Sequence, residues 1–152
     1  LSPFTVAQHS VIVEEFCVQM KPGWPPAWRL AALLHDAPEF VIGDMISPFK
    51  AALGGQYKVI EKRLQRAIHI RFGLPADLPE AIEKTIKKAD QACAFFEATQ
   101  LAGFGHVEAR KLFGVPKGVS PLTLKIETTA VAQTAYLDRF AVLIAEIGAA
   151  SP

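Results

Sequence analysis

Residues 30–50 read LAALLHDAPEFVIGDMISPFK, and they join an apolar helical pattern to a dense group of polar side chains. The leucines recur at helical spacing and predict a buried helix face. His35 and Asp36 follow directly, so they emerge from that buried face rather than from a solvated surface. A carboxylate removed from water costs several kcal/mol unless a cation, a metal or several hydrogen-bond donors meet it. The stretch therefore predicts a core helix that leads into a divalent metal site.

The helix that carries these leucines is expected to end at or near the His35–Asp36 pair. Adjacent helical residues point about 100° apart, so the two side chains can hold one ion only where the helix ends or is distorted. Pro38 provides such an end, since it has no amide hydrogen and disfavours helix for the residue before it. Glu39 and Asp44 follow closely. Together these groups favour a metal site over a core histidine capped by its neighbour.

Length and composition predict one compact domain over residues 1–152, and an extension upstream of Leu1 is left open. The formal net charge of +1 is spread along the chain and gives no basic stripe, so a nucleic-acid polymer is not an expected partner. Neither a charged leader nor a long apolar run is present, so we expect no membrane association and a cytoplasmic location. Cys17 and Cys93 fall among apolar residues and are expected in the core as free thiols.

Hydrophobic periodicity predicts an all-α bundle of about five main helices. The segments between them are rich in glycine and proline, and no alternating strand pattern persists. The predicted helices run from an N-cap at Ser2 to about Met20, through Trp28 to His35, from Tyr57 to a C-cap at Gly73, from Pro79 to about Gly103, and from Leu124 to Ile147, with a short helix from Glu108 to Phe113.

Two polar residues within apolar helix patterns lie outside the central stretch. His9 lies in the first turns of the first helix, near its apolar stripe, and taken alone such a residue is more often a core histidine than a ligand. Asp90 interrupts the apolar face of the fourth helix and must be paired. One candidate partner is Lys87, three residues earlier, and the alternative is a metal ion; the sequence leaves both open. His69 is expected at the surface or at the boundary of the core, and His106 is expected at the surface.

The motifs TVAQHS at 5–10, LLHDAPE at 33–39, GDMISPFK at 43–50 and KKAD at 87–90 occur in an order that resembles the HD-domain phosphohydrolase superfamily. They are most similar to its small 5′-deoxyribonucleotidase-like group. The resemblance implies a single HD domain and assigns catalytic roles to Glu39 and Asp44 as acidic helpers. It assigns the metal ligands to a set of four residues: His9, His35, Asp36 and Asp90.

The sequence also departs from some branches of that superfamily. Phe40 follows Glu39 where guanosine-tetraphosphate hydrolases carry a further acid, and the Gly-Tyr-Pro signature of cyclic dinucleotide phosphodiesterases is absent. Too few additional histidines are present for the two-metal arrangement of cyclic nucleotide phosphodiesterases. These differences favour one divalent ion, and mixed nitrogen and oxygen ligands suit Mn, Co, Fe, Ni or Zn, and Mg less well.

The expected activity is metal-dependent hydrolysis of a nucleotide, most favourably a deoxynucleoside 5′-monophosphate. Lys50 and Lys87 are candidates for binding the substrate phosphate, although each could equally be a solvated or paired lysine. One alternative is release of triphosphate from deoxynucleoside triphosphates. Others are a non-catalytic nucleotide-binding or regulatory module with a saturated metal site, and a structural helical oligomer with buried ion pairs. The 51% hydrophobic content predicts a homodimer or larger homo-oligomer.

Overall fold

The structure is a computed structural model that describes residues 3–43, 50 and 52–150. These residues form helices and connecting segments without a β-strand, which confirms the predicted all-α fold. Seven helices are defined in the described residues: the five expected main ones, the short helix predicted near Glu108 to Phe113, and an additional helix of four residues. The helices are α1 (Val6–Met20), α2 (Pro26–Leu33), α3 (Glu39–Ile42), α4 (Gly55–Arg71), α5 (Glu80–Gln100), α6 (His106–Phe113) and α7 (Thr129–Ala150).

The N-terminus of α1 differs from the prediction, which placed the N-cap at Ser2, a residue outside the described part of the chain. Thr5 is the N-cap instead, and its Oγ1 accepts a hydrogen bond of 3.2 Å from the backbone N–H of Gln8. A threonine hydroxyl satisfies one of the amide groups that the first helical turn leaves without an intrahelical partner. His9 consequently lies in the first turns of α1, as predicted.

The end of α2 agrees with the expectation drawn from Pro38. The helix stops at Leu33, residues 34–38 form consecutive turns, and Pro38 is the N-cap of α3. His35 and Asp36 therefore lie in a turn between two helices. Their side chains are not held about 100° apart there, as they would be in an uninterrupted helix. This break in the helix is what allows both residues to face one point.

The C-terminus of α4 is closed by the glycine that the sequence predicted. Gly73 has φ of +74°, and the backbone N–H of Leu74 donates to the carbonyl oxygen of His69 over 2.9 Å. The N–H of Gly73 donates to the carbonyl of Ile70 over 3.2 Å. This pair of bonds is a Schellman motif, whose left-handed residue favours glycine because it has no Cβ.

The core forms where α1 packs against α2, α5 and α7, while α2 also packs on α7 and α6 on α5. Cys17 and Cys93 are buried free thiols, which confirms their predicted place in the core. The most deeply buried apolar residues around them are Val13, Leu30, Leu33, Ala89 and Leu143.

Two predictions about the later helices were wrong in detail. The last helix begins at Thr129 rather than Leu124, because long-range bonds hold the segment before it: Gln100 Oε1 accepts from the Leu124 N–H over 2.8 Å. In α4, periods of three and four in the sequence place Ile60 on the apolar face of the predicted helix, but this residue is 55% exposed, since contact with the core is confined to the C-terminal end of the helix. Among the described helices, none combines the length and the hydropathy of a transmembrane segment.

Candidate metal centre

Two imidazole rings, from α1 and from the turn after α2, are each held by a hydrogen bond at Nδ1. His35 Nδ1 lies 2.8 Å from the carbonyl oxygen of Ala32, which can only accept, so Nδ1 carries the hydrogen. His9 Nδ1 lies 2.6 Å from Glu97 Oε1 and donates to that carboxylate. When the rings are neutral, both Nε2 atoms therefore carry a lone pair. Fixing the tautomer through the other ring nitrogen is the usual arrangement for metal-binding histidines.

The two Nε2 atoms face each other across 3.3 Å, and two carboxylates close in on the same space. His9 Nε2 lies 3.4 Å from Asp90 Oδ1 and 3.5 Å from Asp36 Oδ2. His35 Nε2 lies 3.2 Å from the same oxygen of Asp36. The structure thus brings together all four predicted ligands, from α1, the turn after α2, and α5. The atoms of His9, His35 and Asp90 all lie within 4.8 Å of one another.

These separations fit one transition-metal ion. Ligand atoms bound at about 2.1 Å lie about 3.0 to 3.4 Å apart in octahedral and tetrahedral geometry. Four of the six pairs among these ligand atoms lie 3.2 to 3.5 Å apart. Two imidazole nitrogens and two carboxylate oxygens also form a donor set that suits divalent first-row metals. The residues present therefore fit the ion that the sequence predicts.

The electrostatics of the cluster favour a cation at its centre. Burial lowers the pKa of His9, but hydrogen bonds to Asp90, Cys93 and Glu97 outweigh it and raise this pKa well above the ordinary value. Burial raises the pKa of Asp36, yet the adjacent His35 brings it below its usual range. A site that stabilises protonated imidazole between carboxylates also stabilises a metal ion, because the ion takes the place of the proton's charge.

Asp90 pairs with Lys87, one of the two alternatives that the sequence left open, and its other oxygen faces His9 at the predicted metal centre. Its Oδ1 faces His9, while its Oδ2 accepts a hydrogen bond of 2.7 Å from Lys87 Nζ. Burial raises the pKa of Asp90, but His9 and Lys87 lower it far below its usual range, so the group is a carboxylate. One carboxylate can therefore pair with Lys87 and still present an oxygen to the centre.

Glu97 and Cys93 form a second layer behind His9 that the sequence reading missed. Glu97 Oε1 accepts the hydrogen bond from His9 and lies 3.2 Å from the sulfur of Cys93. Burial raises the pKa of Cys93 to about 11, so the thiol stays protonated and donates to Glu97. Since a thiolate is the form that binds metals, Cys93 is a poor ligand here. Helical spacing could have indicated the role of Cys93 and Glu97, because both residues lie on the same face of α5 as Asp90.

The cluster is open to a cleft between two helices. His35, Asp36 and Asp90 line a cleft of about 470 Å³ between α4 and α5, together with Lys84 and Lys87. The side chain of His9 is 12% exposed and does not line this cleft. Three predicted ligands are thus reachable from the cleft while His9 lies behind them.

Glu39 lies beside the centre, at the start of α3. It lines a neighbouring cleft of about 440 Å³ that His35 and Asp36 also line. Lys50 Nζ donates to Glu39 Oε1 over 3.2 Å and to Glu61 Oε1 over 3.4 Å. Burial lowers the pKa of Lys50, but Glu39 and Glu61 outweigh it and raise that pKa. The structure thus places Lys50 with two carboxylates, and its predicted contact with phosphate stays a prediction.

Asp44, the second predicted acidic helper, lies outside the described residues.

The prediction for His69 was wrong, since this residue is only 4% exposed. Its Nδ1 atom lies 3.1 Å from the carbonyl oxygen of Ala76, and its Nε2 atom lies 2.7 Å from Nε2 of Gln65. Both side chains line the 470 Å³ cleft. The bond to Ala76 explains the burial, because it satisfies the ring nitrogen where α4 ends. His106 is exposed at the start of α6, as predicted.

The chain is similar to two bacterial proteins, each of which is described as uncharacterized. It is 47% identical over 143 residues to a protein of Rhodobacter capsulatus, and the match covers 93% of this chain and 73% of that protein. It is 35% identical over 72 residues to YfdR of Escherichia coli, covering 47% of this chain and 36% of YfdR. No protein-family model matches the chain.

Proposed function

The chain belongs to the family of the Rhodobacter capsulatus protein, and from the geometry of its four-residue cluster we propose that it is a metal-dependent phosphohydrolase of the HD type. Its proposed substrate is a nucleotide, most favourably a deoxynucleoside 5′-monophosphate. The observation that carries the proposal is the convergence of four residues, in which His9 Nε2 lies 3.3 to 3.5 Å from atoms of His35, Asp36 and Asp90, and His35 Nε2 lies 3.2 Å from Asp36.

The open side of the cluster supports an enzyme over a module whose metal is fully surrounded by protein. Structural metal sites are closed, whereas catalytic sites keep a position for water or substrate. Here three of the four ligands line a cleft of about 470 Å³. An ion held by four side chains has room for further oxygen ligands on that side in octahedral geometry.

Each neighbouring side chain has a proposed task. A divalent ion, when bound, would activate water for attack and offset negative charge on the phosphate. Glu39, in the adjoining cleft, would orient the attacking water or move its proton, which is the work of a general acid or base. Lys87 lines the cleft with a side chain that is 67% exposed, so it can contact a phosphate oxygen while it neutralises Asp90.

The choice of a monophosphate rests on the resemblance to the small nucleotidase group and not on a contact seen in the cleft. The runner-up is release of triphosphate from a deoxynucleoside triphosphate, which the same ligands could support. A homodimer or larger assembly and a cytoplasmic location are further predictions for this protein.

The test is a hydrolysis assay of the Mn- or Co-loaded protein with deoxynucleoside monophosphates, ribonucleoside monophosphates and deoxynucleoside triphosphates. We expect inorganic phosphate from deoxynucleoside monophosphates, and none from the His35→Ala variant under the same conditions. Release of tripolyphosphate from the triphosphates would support the runner-up. A protein that holds metal and hydrolyses none of these compounds would contradict the enzyme and favour the saturated-metal module.

A further inference from the structure

A second concave surface lies away from the metal centre, between the end of α1, the N-terminal half of α5 and the loop after α6. We call it the lysine groove. It measures about 690 Å³ and is therefore larger than the metal-side cleft. Four lysines, and no aspartate or glutamate, line it within the described part of the chain: Lys21, Lys84, Lys88 and Lys117.

Most of the lysines in this groove have no carboxylate partner among the described residues. Lys84 pairs with Glu80, one helical turn earlier. For Lys21, Lys88 and Lys117, no carboxylate among the described residues lies within 4.0 Å. Because the whole chain has a formal net charge of only +1, the groove is a local excess of positive charge. Such an excess raises the local concentration of anions and favours their binding.

The remaining lining supplies backbone donors and an apolar floor. The loop 114–118 forms one wall, and Gly114 and Gly118 adopt φ of +79° and +75°. The N–H groups of Val115, Lys117 and Gly118 donate to no acceptor in the part of the chain that the structure describes. An amide N–H that has no protein acceptor is available to donate to an anionic oxygen. Met20 and Phe113 contribute apolar surface beside them.

We infer that the lysine groove binds a compound with two or more linked phosphate groups, at a site separate from the metal centre. Several ammonium groups spread around one cavity match several negative charges spread along one ligand, and lysine binds phosphate as a point charge. A concave groove of this size can accommodate a small molecule. The same chemistry could come from a free polyphosphate or from a nucleoside di- or triphosphate. Lys84 lines both this groove and the metal-side cleft, so a test relies on the other lysines.

The experiment is calorimetric titration of the full chain with tripolyphosphate, ATP and inorganic phosphate, on the parent and on a Lys88→Glu/Lys117→Glu variant. We expect the parent to bind tripolyphosphate and ATP, and the variant to bind each at least tenfold more weakly. Tighter binding of ATP would identify a nucleotide as the ligand, and equal binding would identify the polyphosphate group. The matched control is Lys111→Glu/Lys125→Glu, which makes the same charge change at exposed lysines outside the groove and should bind like the parent.

Amide chemical shifts of the ¹⁵N-labelled parent locate the anion, and those of Gly114 and Gly118 should move on addition of tripolyphosphate. A Lys88→Ala/Lys117→Ala variant repeats the test in case the glutamate variant does not fold. Absence of binding at millimolar tripolyphosphate would overturn the inference. So would binding that the groove variants retain but Asp90→Asn loses, since the anion would then lie at the metal centre. Binding of a nucleic-acid oligomer in preference to tripolyphosphate would replace it with a different class of partner.

Discussion

At the scale of single residues, His9 shows how much of the site depends on partners that are distant in sequence. Its Nε2 faces the other three predicted ligands, while its Nδ1 is held by Glu97 from α5. That bond selects the tautomer and the ring orientation that direct the Nε2 lone pair at the centre. Glu97 is thus a positioning residue in this account, and its role can be separated from that of a ligand.

Glu97→Gln should weaken metal binding by about 10- to 100-fold, the usual scale for loss of a second-layer partner. Glutamine keeps a hydrogen-bond acceptor for His9 but removes the charge. The dissociation constant for Mn or Co, measured by competition with a chelator, provides the test. The control is Glu108→Gln, an exposed glutamate on α6. Equal affinities of the parent and Glu97→Gln would remove Glu97 from the site.

Glu39→Ala should leave metal content and folding nearly intact and lower turnover by about 100-fold or more, the scale for loss of a general acid or base. Glu61→Ala is the matched control, because it removes the other carboxylate that pairs with Lys50. The measurement is kcat together with bound metal. Loss of metal would make Glu39 a ligand, and equal losses of turnover in both variants would assign the effect to Lys50.

At the scale of helices, the sequence predicts what depends on local rules and misses what depends on packing. The end of α2 before Pro38 and the C-cap of α4 at Gly73 follow from local backbone chemistry, and the structure confirms both. The start of α7 was misplaced because the bond from Leu124 to Gln100 joins distant parts of the chain. The role of Glu97 was missed for the same reason, since it exists only once α5 lies against α1.

Gly73→Ala should destabilise the protein by about 1 to 2 kcal/mol, because alanine in the left-handed region places Cβ too close to the following carbonyl oxygen. No other atom lies within 4 Å of that Cβ position, so strain in the backbone is the whole effect. Gly148→Ala is the matched change inside α7, where φ is not positive, and it should be neutral or stabilising by up to about 1 kcal/mol. Chemical denaturation compares the two, and equal effects would contradict the assignment.

At the scale of the whole molecule, the site exists only if α1, α2 and α5 are assembled together. A buried ion-pair network helps to fix that assembly. Glu14 of α1 is fully buried and contacts Arg29 of α2 over 2.7 Å and Arg139 of α7. A buried carboxylate that loses its partners costs several kcal/mol, so this network holds three helices in one arrangement. The centre lies where two of these helices meet α5.

The central claim is that this assembly binds one divalent ion, and metal content after reconstitution tests it most directly. Protein purified without chelator, loaded with Mn or Co and freed of excess metal should hold one ion per chain by elemental analysis. The variants His35→Ala and Asp90→Asn should hold almost none while they keep the helical circular dichroism of the parent. No stoichiometric metal in the parent, or as much in His35→Ala as in the parent, would contradict the account.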